Sequence, residues 1–265
     1  MTRTHGPDST KTTDYAEWER ALTGILLLEF GPVAVTTVHS AQEFEAFPAD
    51  RPGTSVHYCG AVRRAAHGQA LKLAAEDMSC DTSPRFLGLA GGHDEDDFIE
   101  SYAEGGLYRD HETTRRMLSD AAVLPPLSGL AVVPLRSQPA ECRPDVVVVM
   151  TDPHGAMRLS QAAGFVGHSM GQHAIGMHGM CVESTAAPIV SGRVHVSMLC
   201  SGARHTGAWP DHVLSVGIPG DLMDDVLTGL RLTADRFEPD GRKSRIAEAG
   251  ADVPDLVPGN AYFLG

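Results

Sequence analysis

The chain has 265 residues, 42% hydrophobic and 21% charged, the balance of an ordinary globular protein able to bury a substantial core. Its net charge of −13 argues against nucleic acid or an anionic membrane surface as the main partner, since either needs a basic face. No apolar run approaches the roughly 20 residues that cross a bilayer, and residues 1–13 lack the apolar core of a secretion signal, so a cytoplasmic location is expected.

Residues 1–14, rich in Thr, Asp and Lys, are expected to form a mobile tail ahead of one domain over 15–235, with 236–265 as a C-terminal extension. An amphipathic helix is predicted over 18–28; Gly31-Pro32 ends it and launches a strand over 33–38. Pro and Gly make 47–54 a loop. Helical spacing marks 59–66, with Gly68 as its stop, and a strand over 70–75 leaves through a turn at 80–84. The acidic run 91–97 reads as a solvated turn, because it lacks the alternating carboxylates and closing Glu of a calcium loop.

A polar helix over 111–122 ends at Pro125-Pro126. Strands over 130–134 and 145–150 are β-branched and almost continuously apolar, as strands buried on both faces are. A helix over 154–163 ends at Gly164, and a strand follows at 194–199. Gly217-Ile218-Pro219-Gly220 reads as a tight turn before a helix over 221–232, and the last 30 residues read as charged loop. The alternation of strands and helices indicates an α/β or α+β domain.

A short block occurs twice. Cys59-Gly60-Ala61-Val62-Arg63 follows one apolar strand and precedes Cys80; His154-Gly155-Ala156-Met157-Arg158 follows another and precedes Cys200. This suggests two related strand–helix–strand halves, 32–80 and 146–200, packed about a pseudo-twofold axis. Two unrelated Gly/Ala-rich helix starts would give the same pattern.

Five cysteines cannot all pair within the chain, and in a reducing compartment they stay thiols unless they hold a metal or do chemistry. Cys80, Cys181 and Cys200 stand beside Gly, Ser or Asp at element boundaries, where a side chain can face a cavity. Three separated thiolates with one variable ligand suit an iron–sulfur cluster or a single transition-metal ion (Fe, Cu or Zn). Cys59 and His154, at matching repeat positions, are the candidate fourth ligand or acid/base. The stretch 167–181 holds three His, three Met and one Cys among four glycines, and places His178 close to Cys181 as a further candidate ligand. Ser201, Gly202 and Arg204 follow a strand and can present N–H groups and a cation to an anion. Cys142 reads as a small buried hydrophobe. No CxxC pair, GxSxG, HExxH, P-loop or post-strand GxGxxG is present.

The runs Gly31-Pro32-Val33-Ala34-Val35 and Arg143-Pro144-Asp145-Val146-Val147-Val148, the pattern from Cys80 to Leu87-Gly88-Leu89, and Cys200-x-Gly202-Ala203-Arg204 followed by Val216-Gly217-Ile218-Pro219 resemble the bacterial and archaeal family called domain of unknown function 169. The resemblance covers residues 20–235. It implies a shared thiolate site at Cys80, Cys181 and Cys200, but no established reaction. This chain departs from the family's Cys-Pro-Gly-Ala at Cys80-Asp81-Thr82-Ser83, which puts the turn beside that ligand in question.

The leading expectation is a cytoplasmic metalloprotein, a redox or lyase-type enzyme acting on a small-molecule substrate, with homo-oligomer formation left open. The alternatives are a metal carrier without chemistry and a metal-free cysteine enzyme using Cys200 with His205.

Overall fold

The computed structural model describes residues 13–80, 82–89, 95–170, 176 and 178–262. Its six strands are β1 (Val33–Val38), β2 (Leu71–Leu73), β3 (Gly129–Pro134), β4 (Val146–Thr151), β5 (His195–Ser197) and β6 (Leu214–Pro219). They form one sheet in the order β2-β3-β1-β4-β6-β5, with every neighbouring pair antiparallel. At its centre Val33 faces Val148 and Val35 faces Val146.

Alternation along the strands explains their continuous apolar character. Val33, Val35, Val146 and Val148 point into one hydrophobic layer, while Ala34, Val147 and Val149 point into the other. Burying each such valine contributes about 1.5–3 kcal/mol, so both faces need a helical cover.

The helices are α1 (Tyr15–Leu26), α2 (Ala41–Ala46), α3 (Tyr58–Ala66), α4 (Thr82–Phe86), α5 (Glu95–Glu104), α6 (His111–Ser119), α7 (Pro153–Phe165), α8 (Ala187–Ser191), α9 (Ser201–Thr206), α10 (Met223–Phe237) and α11 (Asp240–Glu248). A π-helical turn, Val182–Ala186, runs directly into α8. On one face α1, α7 and α10 pack through Trp18, Ile25, Leu159 and Leu227. The other face is covered by α3, α4, the π-helical turn and α9, through Val62, Phe86, Val182 and Ala203. Among the described residues no helix is long and apolar enough to cross a membrane.

Several expectations need correction. The turn expected at 217–220 is the end of β6, whose Gly217 and Pro219 disguise a strand. Gly217 is required there: a Cβ would run into the Ser184 carbonyl of the π-helical turn. The turn expected at 80–84 gives way to α4 from Thr82 onward, and residues 95–97 of the acidic run begin α5; residues 90–94 lie outside the described set. The C-terminal stretch is not simply loop, because α11 docks there through Arg242 to Glu238 and to the Leu26 carbonyl.

The repeat is corrected as well. Cys59 opens α3 on one face of the sheet, whereas His154 opens α7 on the opposite face. The Gly-Ala pairs behind them mark two local helix starts packed close to the sheet, not two ends of one site.

Candidate thiol site

Four elements on the α3 face bring a cysteine each to one cavity of about 200 Å³. Cys59 is the second residue of α3, and Cys181 leads into the π-helical turn. Cys80 follows β2 and stands just before α4. Cys200 follows β5 and caps α9, its Sγ accepting from the Ala203 N–H at 3.3 Å. Four of the five cysteines therefore line a single cleft. Cys142 lies elsewhere, in the loop after β3.

The backbone around Cys200 is bent into place. Leu199 holds φ +65°, a left-handed conformation that costs a non-glycine residue about 1–2 kcal/mol. Gly179, at φ +84°, lies beside the sulfurs: a Cβ there would sit 3.2 Å from Cys200 Sγ and 3.7 Å from Cys181 Sγ. Those two sulfurs are thus less than about 7 Å apart.

Hydroxyl groups partner the thiols. Cys80 Sγ donates to Ser83 Oγ at 3.1 Å. Thr206 gives its hydrogen to the Gly202 carbonyl at 2.6 Å, so the Cys59 thiol, 3.3 Å away, is the donor to Thr206. Burial pushes the Cys59 thiol up, opposed by the Thr206 hydroxyl and reinforced by Cys200 and Cys80. Cys181 is pushed up further by burial; the Ser83 hydroxyl opposes this, and Cys80, Cys200 and Cys59 all reinforce it. Tyr58 is raised by burial too, its hydroxyl 2.8 Å from Thr185 Oγ1.

His178 also lines the cleft. Its Nε2 is 2.7 Å from the Met117 carbonyl, which can only accept, so Nε2 carries the proton. That leaves Nδ1 with a free lone pair, buried and without a hydrogen-bond partner among the described residues. Glu183, 1% exposed in the π-helical turn, holds this segment in place. It accepts from the backbone N–H groups of Gly176 and His178, each at 3.1 Å, and from the Ser197 hydroxyl. Single π-helical turns such as Val182–Ala186 recur at functional sites.

The expected site residues divide clearly. Cys80, Cys181, Cys200, Cys59 and His178 come together, and Gly202 joins them. His154 does not. Its Nε2 meets buried Glu238 at 2.8 Å, beside Arg158 and Arg242, on the other face of the sheet. Arg204 turns away from the cleft, bonding the Pro210 and Met198 carbonyls, so it braces the loop after α9. Ser201 is exposed at the start of α9, which at six residues is too short to offer an anion site. Residues 171–175 and 177 of the His- and Met-rich stretch lie outside the described residues. Ser83, Thr206 and Glu183 were missed. A lone glutamate in the apolar run 180–190 was the one available signal.

Among the described residues no group of three His, Cys, Asp or Glu side chains is already gathered to hold a metal ion. Among the described residues the cleft also has no Lys or Arg in its lining. Four thiols therefore line one cleft with no described Lys or Arg there to stabilise their ionised forms.

A family model described as Uncharacterised ArCR, domain of unknown function 169, matches residues 21–229. No curated protein and no solved structure matches the chain.

Proposed function

Given that the chain belongs to the domain of unknown function 169 family, whose description assigns no reaction, we propose that the thiol cleft is a metal centre of a small-molecule metalloenzyme. The centre is an iron–sulfur cluster or a soft transition-metal ion, with Cys80, Cys181 and Cys200 as ligands and Cys59 as the fourth thiolate. The observation that carries this reading is the convergence of four cysteines on one cavity whose described lining holds no Lys or Arg. A metal cation supplies the charge that this lining lacks. The separation of the Cys181 and Cys200 sulfurs, under about 7 Å, is compatible with a cluster and with a single ion, whose ligand sulfurs lie about 2.3 Å from the metal.

The same lining weighs against a metal-free cysteine nucleophile, which needs electropositive company. Within the metal reading, His178 Nδ1 is the acceptor that can hold a proton or ligate at the cleft, and Glu183 positions it. The thiols donate to Ser83 and Thr206 until a metal displaces their protons.

A finer reading of the fold accompanies this one: the halves are related by a pseudo-twofold axis through the β1–β4 pair. Support comes from the strand order, which reads β1-β3-β2 outward on one side and β4-β6-β5 on the other, and from the reciprocal pairs Val33–Val148 and Val35–Val146. On this reading Cys59 corresponds to Cys181, each in the helix before an edge strand. Cys80 corresponds to Cys200, each between an edge strand and a short helix.

Serine replacement tests the ligand set. Cys80→Ser, Cys181→Ser and Cys200→Ser should each lose most bound metal, whereas Cys142→Ser should keep it. Full metal content in all three cleft variants would contradict the assignment.

A further inference from the structure

A second cavity, of about 520 Å³, adjoins the thiol cleft; His57 and Thr206 line both. Its size suits a small organic ligand. One wall is a single face of α3: Gly60, Arg63, Arg64 and His67 stand at helical positions i, i+3, i+4 and i+7, and His57 stands at the start of the helix. Cys59 and Val62, on the other side of α3, face the core.

The chain carries 34 acidic against 21 basic residues, yet no Asp or Glu among the described residues lines this cavity. Arg63 is held in place by the Gly207 and Ala208 carbonyls and lies over the Trp209 ring, 5.7 Å from its centroid. Carbonyl contacts do not neutralise its charge. Arg64 is partly buried, and its guanidinium makes no hydrogen bond or ion pair among the described residues. The helix dipole favours cations near the end of α3, but it does not explain His57 at the opposite end.

We propose that this cavity binds the oxyanion, a phosphate or carboxylate group, of a small-molecule substrate whose other end enters the thiol cleft past His57 and Thr206. Arg64 is the principal anion contact, and the Arg63 charge and the two imidazoles surround it. This names the substrate class of the thiol site and rests on the metal reading for its chemistry, though not for anion binding itself.

Calorimetric titration at low salt with inorganic phosphate, and separately with succinate, tests the proposal on wild-type protein and on Arg64→Ala. At least one anion should bind saturably, and Arg64→Ala should weaken it about tenfold or more, as expected for loss of a charge-assisted contact. Its melting temperature and metal content should stay at wild-type values. Phosphate binding alone would identify a phosphorylated substrate, and succinate binding alone a carboxylate. Failure of both anions to saturate, or equal affinity in Arg64→Ala, would overturn the proposal. Protein that takes up no transition metal on anaerobic incubation with iron, sulfide or zinc, yet still binds the anion through Arg64, would sink the metal reading and leave the anion site standing.

Discussion

Cys181 and Cys200 place their sulfurs 3.7 and 3.2 Å from the point that a Cβ at residue 179 would occupy. The two thiols can approach because Gly179 has no side chain, and its φ of +84° is one that other residues adopt only with strain. Gly179→Ala should therefore wedge the sulfurs apart and cost about 1–2 kcal/mol of backbone strain. Bound metal should fall sharply while the circular dichroism spectrum stays native. Wild-type metal content in this variant would show that the sulfurs need not converge.

Glu183 is a buried carboxylate whose partners include two backbone N–H groups and a serine hydroxyl. Removing it leaves buried donors unpaired, at about 1–3 kcal/mol for each group. Glu183→Ala should lower the melting temperature by several degrees and speed amide exchange at Gly176 and His178. Unchanged exchange there would mean that Glu183 does not hold the segment.

His154 has the opposite expectation from the thiols. Its bond to Glu238 lies on the α7 face, where Arg158 and Arg242 also reach the same carboxylate. His154→Ala should cost about 1 kcal/mol of stability, the worth of one such hydrogen bond, and leave metal content untouched. Loss of metal in this variant would restore it to the site.

Asp235 governs the C-terminal segment. The Val257 N–H, then Lys243 and Asn260, hold its carboxyl below the usual range. A carboxylate with a lowered folded pKa stabilises the fold above its unfolded value of about 3.9, and that stability is lost as pH falls through the lower folded value. Residues 253–262 should stay protected from proteolysis at neutral pH and become cleavable below about pH 4. Asp235→Asn should show the exposed behaviour already at pH 7. Acid-insensitive protection in the wild type would contradict this.

Sequence alone made three of the four central strands legible, because the valine-rich runs of β1, β3 and β4 leave no polar face. It hid β6, because Gly217 answers to a carbonyl from a distant turn. Three of the cleft cysteines were legible from their boundary positions. The pairing of Cys59 with His154 misled, since helical periodicity does not say which face of a sheet a helix covers. Cys59 reached the right site by a different route, through α3 lying beside α9. The free nitrogen of His178 was not legible at all, since it depends on the Met117 carbonyl, 61 residues away.

The central claim is that the four-thiol cleft is a metal centre, and the most direct test is the absorption spectrum and metal content of protein purified without oxygen. The account predicts a transition metal in near-stoichiometric amount, with iron and sulfide and a charge-transfer band near about 400 nm if the centre is a cluster. That signal should vanish in Cys181→Ser. A colourless protein with no bound transition metal, unchanged after anaerobic incubation with iron, sulfide or zinc, would contradict it.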